Sequence, residues 1–117
     1  MVDMVNHPPH YTGHPSGIEC IWITRFMTFS AGNAFKYVFR SADKGDHQQD
    51  LRKALWYLED ALRHADPVFN FLAAAFARPA LDRVCAAEPD PNKLAFYTAV
   101  RRSDLATARK AVLKMLE

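Results

Sequence analysis

The sequence predicts an all-α protein, and three features of the chain support this fold class. Apolar side chains recur at steps of three and four residues in several segments, which is the period of an amphipathic helix. Helix caps and helix-stopping residues separate these segments, and no segment shows the apolar–polar alternation of a strand. The chain has 117 residues, 50% of them hydrophobic, which suffices for one compact core without a disulfide or a structural metal.

The first element is a proline-rich arm at residues 6–17, which reads Asn-His-Pro-Pro-His-Tyr-Thr-Gly-His-Pro-Ser-Gly. Proline fixes φ and favours extended backbone in the residue before it, so the arm is predicted to be stiff and non-helical. The spacing of His7, His10 and His14 suggests zinc, but structural zinc usually takes four ligands from two separated clusters. We therefore predict no metal site and interpret His7, His10 and Tyr11 as ligand-contacting side chains; packing of the arm is the alternative.

The first helix is predicted to begin at Ser16, because Ser16 and Glu19 form a capping-box pattern. Large apolar residues lie on almost every side of it, so we expect a central, buried helix in which Trp22→Ala strongly destabilises the fold. These apolar residues are Ile18, Ile21, Trp22, Phe26 and Phe29.

The second and third helices are predicted to form an αα-hairpin. The second begins near Ser30 and ends at Gly45, and the third runs from about His47 to Ala65. The predicted core positions of the pair are Phe35, Val38 and Phe39, followed by Leu51, Leu55, Leu58 and Leu62.

The segment beyond Pro67 is predicted to be helical as well. We expect helices at 68–77, 79–87, 92–102 and 104–116, with Ser103 capping the last and an apolar face of Leu105, Ala108, Val112 and Met115. The chain is thus divided into a helical unit with the arm, residues 1–66, and a C-terminal extension, residues 67–117. The extension is expected to be ordered, and to cover the leucine stripe, form an oligomer or bind a partner protein.

Composition narrows the class of partner. A net charge of +2 is too small for a protein that binds nucleic acid through charge alone, so nucleic acid is not expected as a partner. No apolar run approaches the roughly 20 residues that cross a membrane, and the first residues show no signal-peptide pattern. Cys20 and Cys85 lie far apart in apolar stretches, and we interpret both as buried free thiols. We therefore expect a cytoplasmic protein without membrane contact.

Polar residues of the second helix form the first candidate site. Asn33, Lys36, Tyr37, Arg40 and Lys44 recur at steps of three and four and therefore share one face. Cations on one face, with an amide at its N-terminal end, suit an anion such as phosphate. A solvated charged face is the ordinary alternative.

The third helix carries a matching stripe opposite its leucines. Asp50, Lys53 and Tyr57 share that face, and the hairpin is predicted to bring both stripes to one cleft. Asp50 is expected to orient Lys53 or Arg40, or to coordinate magnesium; an ordinary ion pair is the alternative. Trp56 lies off the leucine stripe and is a candidate for stacking on a base, with a core position as its alternative.

Several catalytic motifs are missing from the sequence. It contains no Gly-x-x-x-x-Gly-Lys-Ser/Thr loop, no Gly-x-Ser-x-Gly elbow and no Cys-x-x-Cys pair. The paired Glu-x-x-Glu and Glu-x-x-Asp motifs of helical nucleotide pyrophosphohydrolases are also missing. A phosphate site in this chain therefore depends on cationic side chains rather than on a glycine-rich loop.

Five motifs follow one another between residues 5 and 64: Asn-His-Pro-Pro-His-Tyr, Ser-Gly-Ile-Glu-Cys-Ile, Gly-Asn-Ala-Phe-Lys-Tyr-Val-Phe-Arg, Lys-Gly, and Asp-Leu-Arg-Lys-Ala-Leu-Trp-Tyr-Leu. Together they resemble a family of small bacteriophage proteins described as nucleotide-kinase-like, which includes a nucleoside-monophosphate kinase without a P-loop. The resemblance implies a three-helix nucleotide-binding unit. The positions that match the family's pattern are Asn6, His7, His10, Tyr11, Glu19, Gly32, Asn33, Lys36, Tyr37, Arg40, Asp50, Lys53, Trp56 and Tyr57.

Three functions follow from these observations. The first is a phosphotransferase for deoxynucleoside monophosphates, with Lys36, Arg40 and Lys53 on phosphate, Asp50, Glu19 and Lys53 as catalytic candidates, and Mg²⁺ as cofactor. The second is a non-catalytic binder that sequesters a nucleotide, and the third is a factor that binds a host protein. In each case we expect a homo-oligomer in the host cytoplasm. On this site hypothesis, Arg40→Ala weakens nucleotide binding and leaves the stability of the free protein unchanged.

Overall fold

Both halves of the chain contribute to one apolar core. The computed structural model describes residues 13–41 and 47–117. Within these ranges the backbone is helical without a β-strand, which confirms the all-α prediction, and no helix there has the length and apolarity needed to cross a membrane. The helices are α1 (Ile21–Thr24), α2 (Phe29–Arg40), α3 (His47–Arg63), α4 (Ala74–Ala87), α5 (Pro91–Arg101) and α6 (Leu105–Met115).

The first helix is much shorter than predicted. The Ser16 hydroxyl accepts a hydrogen bond from the Ile18 backbone N–H at 3.1 Å, and Gly17 adopts a left-handed φ of 75°. Since a helix cannot pass through that backbone conformation, α1 begins only at Ile21. Trp22 is 42% exposed and Ile21 and Phe29 are exposed too, so the expectation of a buried central helix is wrong. The buried apolar side chains of this segment are Ile18, Cys20, Ile23 and Met27, and Glu19 is buried among them in sequence.

Helices α2 and α3 pack against each other as the predicted hairpin. The inner face of α2 is buried as predicted, at Phe35, Val38 and Phe39. The predicted cap, Ser30, instead lies inside the first turn, where its hydroxyl donates to an Asp60 carboxylate oxygen of α3 at 2.6 Å.

The buried stripe of α3 differs from the predicted leucine stripe. Leu51 and Leu58 are fully buried, whereas Leu55 is half-buried and Leu62 is 39% exposed. Two alanines, Ala54 and Ala61, are buried in place of Leu55 and Leu62. The members of the buried stripe are Leu51, Ala54, Leu58 and Ala61.

Residues 68–73 do not form the predicted short helix. Their backbone pairs instead with the segment between α1 and α2: the Thr28 N–H donates to the Val68 carbonyl at 3.0 Å, and the Asn70 N–H donates to the Phe26 carbonyl at 2.9 Å. The following helix, α4, is continuous through Pro79, where the sequence predicted a break. Pro79 is exposed and removes one N–H donor from the helix, while the buried face of α4 continues on both sides of it.

The last two helices begin at aspartates. The Asp90 carboxylate accepts from the Asn92 N–H at 2.8 Å, with Pro91 at the first helical position. Asp104, rather than the predicted Ser103, caps α6, and it accepts from the Thr107 hydroxyl at 2.6 Å and the Thr107 N–H at 3.0 Å. These two bonds hold the pKa of the Asp104 carboxyl below its ordinary value.

The C-terminal helices complete the core. Leu105, Ala108 and Val112 are buried as predicted, and α6 packs against α3. From α5, the rings of Phe96 and Tyr97 lie with their centroids 6.2 and 5.4 Å from the Phe35 centroid of α2. The C-terminal helices thus cover the apolar inner face of the α2–α3 hairpin and leave the opposite face of the hairpin uncovered.

Candidate functional site

The polar stripes of α2 and α3 meet on one surface of the hairpin. The Tyr37 and Tyr57 rings stack with centroids 6.0 Å apart and 15° between their planes. The Trp56 ring lies edge-on to Tyr57 at 5.1 Å and is 57% exposed. With Lys53, these three rings line a shallow concavity of about 350 Å³. The two stripes therefore meet as their spacing predicted, and their aromatic rings line an open concavity.

Three cations surround the Tyr37 ring. The distances to its centroid are 4.4 Å from Lys36 Nζ, 5.4 Å from Lys53 Nζ and 5.3 Å from Arg40 Cζ. Cation–π attraction holds each of them near the ring, while their like charges repel one another. An anion placed between them relieves that repulsion. We refer to the set Lys36, Tyr37, Arg40, Lys53, Trp56 and Tyr57 as the aromatic–cation site.

One of the three cations is neutralised within the protein. Arg40 Nε and Nη2 lie 3.4 and 3.5 Å from the two carboxylate oxygens of Asp50, and Asp50 is buried. Among the residues that the structure describes, neither Lys36 nor Lys53 forms an ion pair, and Lys36 Nζ donates only to the Asn33 side-chain oxygen at 3.3 Å. The charges that remain available to an anion are therefore those of the two lysines, since the charge of Arg40 is balanced by Asp50.

Phe29 extends the site, although the sequence placed it in the core. It is 77% exposed, and its ring lies edge-on to Tyr57 at 6.2 Å. Its carbonyl accepts from the Asn33 side-chain amide at 2.8 Å, which holds Asn33 beside Lys36. The signal was present in the sequence, because Phe29 precedes Asn33 by four residues and Tyr37 by eight and so shares their helical face.

A second concavity of about 270 Å³ adjoins Phe29, Asn33 and Lys36. Gly32 forms its floor: a Cβ at that position would lie 3.4 Å from the Met27 Cβ, so the absence of a side chain keeps the surface concave. The remaining lining residues are Thr24, Met27 and Thr28.

Other predicted site residues lie elsewhere or outside the description. Glu19 is buried before α1 and does not line the concavity beside Trp56. Burial raises the pKa of the neighbouring Cys20 thiol to about 12, with the Lys36 charge opposing the rise, so Cys20 is no nucleophile at neutral pH. Cys20 and Cys85 are both free, and Cys85 is half-buried. Of the predicted site residues, those that lie outside the described part of the chain are Asn6, His7, His10, Tyr11 and Lys44.

His14 connects the end of the arm to the junction of α4 and α5. Its Nδ1 accepts from the Ser16 backbone N–H at 3.1 Å, so Nε2 carries the hydrogen and donates to a Glu88 carboxylate oxygen at 3.0 Å. The ring stacks on Phe39, with centroids 5.2 Å apart. Both nitrogens are therefore occupied, and a metal site that includes His14 would have to displace these partners. Over residues 13–41 and 47–117, no three His, Cys, Asp or Glu side chains are grouped to hold a metal ion.

Comparison with known proteins gives a family match for the N-terminal part of the chain. Residues 5–59 match the model of a family described as proteins of unknown function, DUF3310. The matched span includes α1, α2 and most of α3, and it contains every residue of the aromatic–cation site. Neither the curated proteins nor the solved structures contain a match to this chain.

Proposed function

We propose that this protein binds nucleoside phosphates at the aromatic–cation site. The observation that carries the proposal is that Lys53 and the exposed indole of Trp56 line one shallow concavity, with Lys36 beside the Tyr37 ring of the same concavity. Neither lysine has an ion-pair partner among the described residues. An exposed aromatic ring stacks on a nucleobase, and ammonium groups bind phosphate oxygens. The resemblance of residues 5–64 to nucleotide-kinase-like phage proteins supports the same ligand class.

The expected affinity follows from the groups on offer. Base stacking contributes roughly 1–3 kcal/mol, and each charge-assisted hydrogen bond to phosphate roughly 1.5–3 kcal/mol. One stacking ring and two lysines therefore supply roughly 4–9 kcal/mol before ordering costs, and once those costs are subtracted the Kd should be no tighter than the micromolar range. Such an affinity suits a binder of an abundant cellular nucleotide.

Phosphoryl transfer is the second candidate, because a carboxylate lies at the edge of the site. Asp50 is next to the cations, but Arg40 takes both of its oxygens, and Glu19 does not line the concavity. This donor set does not fit a magnesium centre without rearrangement, whereas a kinase needs Mg²⁺ to bridge the phosphates. We therefore propose that the protein sequesters a nucleotide, and kinase activity is the alternative function.

The thiols and the family resemblance also indicate a cellular compartment. Two free thiols are typical of a reducing compartment, and the family resemblance suggests a phage protein, so we infer that it acts in the host cytoplasm. We further infer that it acts as a homo-oligomer and that a host protein is its alternative partner.

Isothermal titration of the full chain with nucleoside mono-, di- and triphosphates, with and without Mg²⁺, tests the proposal. We expect Lys53→Gln to weaken binding by roughly 1.5–3 kcal/mol and Trp56→Ala by roughly 1–3 kcal/mol. Both residues are exposed, so the melting temperature of the ligand-free protein should change little.

Each variant has a matched control in the chain. Arg52 is the exposed cation next to Lys53 and does not line the concavity, and Trp22 is the other exposed tryptophan. Arg52→Gln and Trp22→Ala should bind as the wild type does. Equal losses in variant and control would mean that charge and aromatic surface act without a site. Product formation from ATP and a monophosphate, only with Mg²⁺, would replace sequestration by kinase activity.

A further inference from the structure

An apolar groove lies at the C-terminal end of α3. It has a volume of about 650 Å³ and shares no lining residue with the aromatic–cation site. Leu62, Phe69 and Leu105 contribute to its apolar lining, and Asp66 is the single charged residue among the lining residues that the structure describes. We refer to it as the Phe71 groove, because Phe71 and Leu72 form one of its edges.

Two large apolar side chains protrude at that edge. Phe71 is 92% exposed and Leu72 is 77% exposed. Leu72 adopts a left-handed φ of 60°, which costs a branched residue energy that glycine would not incur. The other non-glycine residues with positive φ in the described ranges, Ala65 and Ser103, also line the groove. Strain of this kind persists only where the surrounding structure holds the backbone in that conformation.

The protruding loop is held rigidly. The Asn70 N–H and side-chain amide donate to the Phe26 and Met27 carbonyls at 2.9 and 3.2 Å, and the Ala73 N–H donates to the Asn70 carbonyl at 2.8 Å. Met27 and Phe69 also form an isolated antiparallel bridge. A preorganised apolar protrusion loses little conformational entropy when it is buried by a partner.

We propose that the Phe71 groove is a homodimer interface, in which Phe71 of each protomer inserts into the groove of the other. A protrusion and a cavity side by side on one surface are self-complementary under a twofold axis, because the protrusion of each protomer then faces the cavity of the other. The described lining carries one charged residue, Asp66, and the neighbouring Arg63 and His64 lie against Asp60, so little unpaired charge is buried when two copies meet.

The area supports a dimer of modest affinity. An aromatic side chain offers roughly 150–250 Å². Phe71, Leu72 and Leu62, together with the groove wall, therefore provide several hundred Å² of apolar surface per protomer, which is as large as the apolar patches that monomers expose. Each protomer of a standard interface buries about 800 Å², so we expect this dimer to be weak and reversible.

Sedimentation velocity of the full chain over a concentration series tests this inference. We expect a reversible monomer–dimer equilibrium that Phe71→Glu weakens by at least about 30-fold, the loss typical of a central interface aromatic. Phe29→Glu is the matched control: Phe29 is another exposed phenylalanine, 77% against 92% for Phe71, and lies outside the groove, so its replacement should leave the equilibrium unchanged. Leu72→Gly removes the neighbouring protrusion and the strain together, so it should weaken the dimer while the monomer stays at least as stable.

The inserted geometry has its own readout. A photoreactive p-benzoylphenylalanine at position 71, in a mixture of ¹⁴N and ¹⁵N chains, should form mixed-isotope cross-links to Leu62 or Leu105. A wild-type protein that stays monomeric up to about 100 µM would overturn the proposal and leave the groove to a different protein. A dimer that persists in both Phe71→Glu and Leu72→Gly, or mixed-isotope cross-links confined to other surfaces, would overturn it as well.

Discussion

The ion pair between Arg40 and Asp50 determines how the protein responds to substitutions at the edge of the aromatic–cation site. Asp50 is buried on α3, and both of its carboxylate oxygens face the Arg40 guanidinium. A buried carboxylate that loses a charged hydrogen-bond partner destabilises a fold by roughly 1–3 kcal/mol. Arg40 therefore contributes to the stability of the hairpin as well as to the charge of the site.

We expect Arg40→Ala to lower the free energy of unfolding by roughly 1–3 kcal/mol, measured by urea denaturation. The helical stripe alone suggested that Arg40→Ala leaves stability unchanged, and the ion pair reverses that expectation. In the double variant Arg40→Ala/Asp50→Ala the buried charge is removed too, so its loss should be smaller than the sum of the single losses. Additive losses would show that the two side chains do not interact.

Side-chain positions in the site were predictable where they depend on helical spacing alone. The sequence placed Lys36, Tyr37, Lys53 and Tyr57 on facing stripes. In the structure Lys36, Lys53 and Tyr57 all lie around the Tyr37 ring. It did not predict the exposure of Phe29, because an aromatic residue fits a core and a surface site equally well. Tertiary packing decides between the two, and local sequence does not encode it.

At the scale of elements, the long periodic segments were predictable and the segments with non-local partners were not. Helix α3 follows its predicted range closely and α2 begins where it was predicted to, because each has a sustained apolar period. Helix α2 ends at Arg40, however, earlier than the predicted end at Gly45. Residues 68–73 have equally apolar side chains, yet their backbone hydrogen bonds go to residues 26–28 across the fold. Such non-local pairing produces no recognisable pattern in the sequence of the segment itself, so its short apolar run predicts a helix.

Two helices end in a left-handed residue where glycine is usual. After α3, Ala65 has a φ of 54° and the Asp66 N–H bonds back to the Ala61 carbonyl at 2.9 Å. After α5, Ser103 has a φ of 57° and the Asp104 N–H bonds to the Ala99 carbonyl at 2.9 Å. These are Schellman ends, and a side chain at the left-handed position is strained.

We expect Ala65→Gly and Ser103→Gly each to raise the free energy of unfolding by about 1 kcal/mol, because glycine adopts this backbone without a Cβ clash. Ala95→Gly is the control, since Ala95 is exposed in the middle of α5. There, glycine should lower the free energy by about 1 kcal/mol. Chemical denaturation at one protein concentration measures all three, and a destabilised Ser103→Gly would refute the assignment of strain.

At the scale of the whole molecule, residues 67–117 belong to the core that supports the site. Phe96 and Tyr97 pack on Phe35 of α2, and α6 covers the buried stripe of α3. Arg109 of α6 donates to a Glu59 carboxylate oxygen of α3 at 2.8 Å, at the edge of that contact. The hairpin therefore depends on the C-terminal helices for the burial of its inner face.

A chain that ends at Asp66 should consequently lose the cooperative fold. It would expose side chains that are fully buried in the whole protein, among them Phe35, Leu51 and Leu58. Each buried aliphatic or aromatic side chain contributes roughly 1.5–3 kcal/mol, and a domain is stable by only about 5–15 kcal/mol, so the loss of a few such contacts suffices. We expect the shortened chain to aggregate or to melt without a cooperative transition, with exposed apolar surface that binds a hydrophobic dye.

Calorimetry and dye binding on the shortened and full chains measure this prediction, and the separate 67–117 segment provides a control. Mixed with the shortened chain, that segment should restore part of the cooperative transition, because it supplies the missing inner faces of α5 and α6. Dye binding should fall at the same time. A shortened chain that is monomeric and melts cooperatively on its own would show that the hairpin carries a sufficient core. The C-terminal helices would then be an appendage, and the aromatic–cation site would not depend on them.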